Sequence, residues 1–455
     1  MGKLLALAAI LVSIGLAYLF NKNYYLPTKL PPNKDGYFGQ GAKSADDTKI
    51  VPFSINVSDA VLEDLRLRLD KARFYDPLEN TNFEYGFNTE YLRGVKNYWR
   101  NVYDWRKAEA QLNEFSHFKT KIEGLKIHFI EAKPPSGKYK KVLPLLLVHG
   151  WPGSVYEFYK ILPMLTDPKS KLGVDGGVAF HVIAPSIPGY AWSDAPKKKG
   201  FSTIAAARVF HKLMRRLKFD RYYCQGGDWG SIITTHLAQA FPQEVIGLHI
   251  NMAFVSPFVF PGIAVQMLLG LVAPSLILHP TDYHKVYPMG EKFSSLIGES
   301  GYMHLQASKP DTVGFSLNDS PLGLAAYILE KFSTWTNYNF RSFRDGGLTR
   351  HFTLDELLTN IMIYWTTGSI ATSQRFYREY FTDPLHLAYE AAPVFVPTGI
   401  AALPNEFLLT QPRNFLAYKF RNITVYTDFP RGGHFAAFEE PKLLAEDVFR
   451  FVTTV

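Results

Sequence analysis

Residues 225–231, QGGDWGS, constrain this chain more than any other stretch. A short apolar run, Tyr222-Tyr223-Cys224, leads into it, and a helix-like run over 231–240 leads out. Gly226 and Gly230 stand at the two second neighbours of Asp228. Small residues on both sides of one central side chain mark a sharp strand-to-helix turn that lifts that side chain over the edge of a sheet. Glycine is needed because the turn is strained and two backbone segments approach closely. Enzymes with an alcohol nucleophile place Ser at the centre. Here the centre is Asp, so the nucleophile would be a carboxylate and the covalent intermediate an ester. A Gly-rich loop with an Asp capping a helix gives the same letters, and the rest of the chain decides between the two.

Strand and helix patterns alternate around this turn. Residues 125–130, 143–148, 180–184, 222–224 and 245–250 read as strands. The run at 143–148 is continuously apolar, as in a strand buried on both faces. Helices are expected from the Ser154 cap to about 165, over 204–217 and over 231–240. This rhythm predicts an α/β fold with a mostly parallel central sheet and helices on both faces. It breaks after Asn251 and returns with strands at 394–396 and 423–426, then a final helix from Pro441. An all-helical insertion between late strands would be a lid over 256–380, dividing the core into 119–255 and 381–455. The apolar run 262–278 is interrupted by Gln266 and Pro274, so a lid helix is expected there rather than a membrane span. Residues 51–118 look helical, with Ser58 capping one helix to about 71 and Asn88 another over 89–102. With the Pro- and Gly-rich stretch before them, residues 22–118 read as a linker and an N-terminal meander.

The first 21 residues read as a membrane anchor. Residues 4–20 carry no charge and approach the roughly 17–25 residues of a span. Cleavage after Ala17 would split the apolar run, which favours an uncleaved segment. Lys22, Lys29 and Lys34 follow the run, so the body is expected on the cytosolic side. A single cysteine, Cys224, excludes an intramolecular disulfide framework and suits a reducing compartment. Net charge is +8, but the lysines and arginines are scattered, with no basic stripe for nucleic acid. No CxxC or HExxH spacing suggests a metal, and no cofactor is expected.

A carboxylate nucleophile needs a base, an acid to orient that base, and an oxyanion hole. The chain order in this kind of fold is nucleophile, acid, histidine. His434, in Arg431-Gly432-Gly433-His434-Phe435, follows the last strand and precedes the last helix, where the base belongs. Glu406 follows the 394–396 strand by a short loop and could hold the imidazole. Asp428, at the end of the last strand, competes for that role, and chain order favours Glu406. His149-Gly150-Trp151-Pro152 ends a strand, so the Trp151 backbone N–H, with that of Trp229, would form the oxyanion hole.

Together these pieces resemble the epoxide hydrolases of the α/β-hydrolase fold, particularly the microsomal type and the insect juvenile hormone epoxide hydrolases. The resemblance spans almost the whole chain. It includes HGWPGS at 149–154, PSIPGY at 185–190, QGGDWGS at 225–231, GYMHLQASKPDTVG at 301–314, LNDSPLGLAAYILEKFSTWTN at 317–337 and RGGHFAAFEEP at 431–441. It implies Asp228 as nucleophile, His434 as water-activating base and Glu406 as its orienting acid. It further implies Tyr302 and Tyr377 as lid phenols that donate to the epoxide oxygen. By themselves, two tyrosines among 26 would read as core. The loop 401–406, AALPNE, departs from the vertebrate pattern and is similar to the insect one, which bears on substrate preference. The implied enzyme sits on the endoplasmic reticulum membrane and converts a lipophilic epoxide and water to a vicinal diol through an aspartyl ester. A haloalkane dehalogenase shares the Asp-Trp pair but has no need of phenol donors. A non-catalytic relative would have lost a member of the triad, and all are present here. A serine esterase is excluded by Asp at the elbow.

Overall fold

The computed structural model describes residues 30–31, 33–174, 177–407 and 410–455, together with positions 13 and 15. Apart from those two positions, the expected anchor at 4–20 lies outside the described residues. Among the described residues no helix is long and apolar enough to cross a membrane.

One nine-stranded sheet organises the chain. Its strands are β1 (Val51–Phe53), β2 (Ser116–Ile122), β3 (Leu125–Ala132), β4 (Lys141–Val148), β5 (Val178–Pro185), β6 (Tyr222–Gly226), β7 (Val245–Ile250), β8 (Thr398–Ala402) and β9 (Ile423–Asp428). The spatial order is β1-β2-β3-β5-β4-β6-β7-β8-β9. Pairing is antiparallel from β1 through β5 and parallel from β5 to β9. Helices Thr203–Arg216 and Trp229–Ala240 pack together on one face, and Leu162–Thr166 with Pro441–Thr454 on the other. With both faces covered, Leu145, Leu146, Leu147 and Val148 are almost fully buried. Each such side chain contributes roughly 2 kcal/mol of burial.

The register sets up the site. Gly226 at the end of β6 is level with Val148 on β4 and Ile250 on β7. The chain therefore leaves three adjacent strands at one level, and open α/β sheets bind ligands outside those carboxyl ends. Between β7 and β8 every element is helical, from Pro261–Gly270 to His386–Ala391.

Several expectations need correction. The late strand is β8, Thr398–Ala402, not 394–396, where Val394 makes one isolated bridge to Phe420. Pro397 has no N–H for the ladder. The strand proper is made of small residues because Phe451 of the last helix presses on it, so propensity hid it. The segment 51–118 is not all helical, since β1 and β2 join the sheet. The alternation of β2, SHFKTKI, is masked by lysines on its open face. Ser154 caps only the short turn Val155–Phe158, and Pro163 starts a separate helix, Leu162–Thr166. Residues 262–278 form two helices, Pro261–Gly270 and Pro274–Ile277.

Candidate active site

Asp228 sits between β6 and helix Trp229–Ala240 with φ 49° and ψ −128°. A non-glycine residue held there costs on the order of 1–3 kcal/mol, which the packing around the turn must offset. Gly230 shows why: a Cβ there would lie 1.9 Å from the Val148 carbonyl oxygen. The helix thus begins at Trp229, two residues before the expected start, because Gly230 serves a close approach inside its first turn.

The carboxylate is held from two sides. The Trp151 backbone N–H donates to Asp228 Oδ1 at 2.7 Å. His434 Nε2 lies 3.5 Å from Asp228 Oδ2. The Trp229 N–H, next in the chain, belongs to the first helical turn, whose donors have no partner within the helix. His434 is buried, and its Nδ1–H donates to Glu406 at 2.8 Å (Oε1) and 3.1 Å (Oε2). Asp428 does not reach the imidazole; it is about half exposed and pairs with Lys285. The loop carrying His434 is pinned by Glu439, whose carboxylate accepts the Gly433 and Phe435 N–H groups at 2.8 Å each. The His434 N–H donates to the Trp335 carbonyl at 3.0 Å.

Charge sets the protonation states. Burial works against charging His434, but the neighbouring carboxylates Glu406 and Asp228 outweigh it and hold the imidazole well above its ordinary value. Burial pushes Glu439 up to about 8, against its two N–H donors. His149 is lowered to about 4 by burial. Its Nε2 accepts from the Ile187 N–H at 3.1 Å, so this histidine ties the 149–154 loop to the 185–190 loop as a neutral ring.

Tyr302 and Tyr377 come from helices Gly301–Ser308 and Ile370–Thr382 and meet over the elbow. Their rings lie 5.8 Å apart, edge to face. Tyr302 stacks on Trp151 at 5.3 Å, and Tyr377 packs against Trp229 at 4.6 Å. The Tyr377 hydroxyl is buried, and its nearest polar neighbour is the Tyr302 hydroxyl. Burial keeps both phenols far above their ordinary range. The Asp228 charge adds to this for Tyr302, and Tyr302 then Asp228 for Tyr377. Trp335 and Phe407, stacked at 4.1 Å, close the apolar wall beside His434.

Sequence reasoning missed the residues that hold the Trp151 loop. Asn360 of helix Leu354–Thr367 donates to the Pro152 carbonyl and accepts from Ser154 Oγ, both at 2.9 Å. One turn on, the Tyr364 hydroxyl donates to the Gly153 carbonyl at 2.7 Å. A polar Asn inside an otherwise apolar helical run was the one available signal.

Fold and site together define an α/β hydrolase with a carboxylate at the nucleophile elbow. Residues 50–158 match the family described as epoxide hydrolase N terminus, and residues 144–383 that described as alpha/beta hydrolase fold. The chain belongs to the epoxide hydrolase family. It is 53% identical to epoxide hydrolase 1 of Sus scrofa over 92% of each chain. It is 46% identical to juvenile hormone epoxide hydrolase 1 of Ctenocephalides felis over 99% of this chain and 96% of that one. The crystal structure of juvenile hormone epoxide hydrolase from Bombyx mori superposes with a TM-score of 0.87 at 43% identity, covering 92% of this chain and 98% of the other.

Proposed function

We propose that this protein is an epoxide hydrolase that turns a lipophilic epoxide and water into a vicinal diol through an ester on Asp228. The observation that carries this reading is the opposed placement of Asp228 and two buried phenols. One Asp228 oxygen rests on the Trp151 N–H, which leaves Oδ2 to attack a ring carbon. Tyr302 and Tyr377 donate to the epoxide oxygen as charge develops on it. In the second step His434, held by Glu406, takes a proton from water. The water adds to the ester carbonyl, whose oxyanion rests on the Trp151 and Trp229 N–H groups. The aromatic wall of Trp151, Trp229, Trp335 and Phe407 favours an arene or alkene oxide or a terpenoid hormone epoxide. The name of the relative from Ctenocephalides felis, juvenile hormone epoxide hydrolase 1, supports the hormone epoxide, and that of the relative from Sus scrofa, epoxide hydrolase 1, supports an epoxide substrate in general. The uncharged run at 4–20 supports a single N-terminal anchor, Lys22, Lys29 and Lys34 after it support a cytosolic body, and the likeness to the microsomal type supports the endoplasmic reticulum membrane.

The test is one turnover with enzyme in excess in oxygen-18 water. Unlabelled diol is expected, its new oxygen coming from Asp228. Labelled diol would mean direct attack by water and would sink the ester mechanism.

A further inference from the structure

Behind the elbow, between Asp228 and His434, lies a cavity of about 20 Å³. That is room for one water, which needs polar walls to stay. Glu157, Asn251 and Gln225 supply them. Gln225 Nε2 donates to Asn251 Oδ1 at 2.8 Å, which fixes that side of the wall. Of the ionisable groups on the wall that the proposed mechanism leaves unused, His149 is a neutral ring whose Nε2 is taken by the Ile187 N–H, which leaves Glu157.

Its placement is specific. Glu157 lies in the turn Val155–Phe158, immediately after the loop that supplies the Trp151 N–H. A Cβ on residue 153 would lie 1.4 Å from Glu157 Oε1. The carboxyl thus fills the space that a side chain at 153 would take, and Gly153 is what lets it reach the cavity. Its neighbours Val155, Tyr156 and Phe158 are buried, yet Glu157 keeps partial accessibility, as a group bordering an internal cavity does. It also feels both reacting partners. Burial raises its proton affinity, to a pKa of about 8; the charge of His434 opposes this and that of Asp228 adds to it.

We propose that Glu157 holds the hydrolytic water, accepting a hydrogen bond from one of its hydrogens while His434 Nε2 takes the other. This rests on the reading of Asp228 as an ester-forming nucleophile. In the step, the water oxygen bonds to Cγ of the Asp228 ester and its proton passes to His434 Nε2. The bond from Cγ to the alkyl oxygen then breaks, and His434 returns that proton to the departing alcohol. The second water proton leaves as the Asp228 carboxyl re-ionises, to the phenolate left by ring opening.

The test uses the full chain with styrene oxide, steady-state kinetics and intact-protein mass, comparing Glu157→Gln with His434→Gln. For Glu157→Gln, kcat should fall on the order of 10- to 100-fold, the scale of a misplaced reactant. KM should fall in parallel, so that kcat/KM changes by less than about threefold, because ring opening is untouched. A protein adduct with the mass of the epoxide should accumulate. An unchanged kcat, or an equal fall in kcat and kcat/KM without adduct, overturns the proposal. His434→Gln separates the two levels: adduct in His434→Gln but not in Glu157→Gln rejects the role of Glu157 alone. Adduct in neither rejects the ester itself, and Glu157's role with it. If Glu157→Gln does not fold by circular dichroism, Glu157→Asp takes its place. Its shorter side chain draws the carboxylate out of the cavity, and the same split between kcat and kcat/KM is expected.

Discussion

At the scale of single residues, the site is an arrangement of charges that changes during its own reaction. His434 stands between two carboxylates, 2.8 Å from Glu406 and 3.5 Å from Asp228. Their combined field outweighs burial and raises its proton affinity well above the ordinary value. A protonated imidazole cannot act as a base. In the proposed mechanism ester formation removes the Asp228 charge and leaves Glu406 as the supporting carboxylate, so the proton becomes easier to lose when a base is required. The sign follows: ester decay should rise with pH and level off once His434 is neutral. Its kinetic pKa should lie below the value that NMR titration gives for His434 in the resting enzyme. Equal values from the two measurements would contradict this coupling. For stability the raised value works the other way. The imidazolium's attraction to its carboxylates is fully present below the unfolded value, about 6.5, and is lost as pH rises through the folded one.

At the scale of elements, the Trp151 N–H, the proposed oxyanion donor, is positioned by a helix between β7 and β8 rather than by the sheet. Helix Leu354–Thr367 grips the Trp151 loop through Asn360 and Tyr364. Asn360→Ala leaves the Pro152 carbonyl without its donor and the Ser154 O–H without its acceptor, although Ser154 Oγ still accepts from the Tyr156 N–H. Each buried group left unpaired costs about 1–3 kcal/mol. Urea unfolding should register a loss of that order, and kcat/KM should fall because the Trp151 N–H loses its fixed position. Full activity at reduced stability would show that the loop is rigid by itself. This division of labour also explains what the sequence revealed. Asp228 was legible from its local pattern, His434 from its place between the last strand and the last helix, and Glu406 from chain order, even though the strand before it was misplaced. Tyr302 and Tyr377 were visible only through family resemblance, since nothing local separates them from core tyrosines. Asn360, Trp335 and Glu439 act through partners that only folding brings near, or through backbone groups that carry no sequence signature. Strand β8 was misplaced for a related reason: it is defined by the pressure of Phe451 rather than by its own propensity.

At the scale of the whole molecule, one buried ion pair fastens the N-terminal segment to the catalytic body. Glu123, in the turn between β2 and β3, receives Arg208 of helix Thr203–Arg216 in a bidentate pair, both contacts at 2.7 Å. Both side chains are almost wholly buried. Glu123 also takes Lys212 Nζ at 2.8 Å and the Gly36 N–H at 3.1 Å. Arg208 reaches on to Asn33. Three pieces of chain distant in sequence therefore meet at one carboxylate: the segment from residue 33, the hairpin, and the helix that packs behind the elbow. Breaking such a pair from one side leaves a buried charge uncompensated, which costs about 3–5 kcal/mol. Glu123→Gln keeps the shape and removes only the charge. Its melting temperature should fall clearly, and limited proteolysis should cut first within residues 33–50, ahead of the body. The hydrogen bonds of Glu123 and Arg208 among the described residues go to Gly36, Lys212, Asn33 and each other and not to Asp228, His434 or Glu406, so turnover per folded molecule should hold below the new melting point. Loss of turnover before any cleavage would instead mean that this clamp sets the geometry of Asp228.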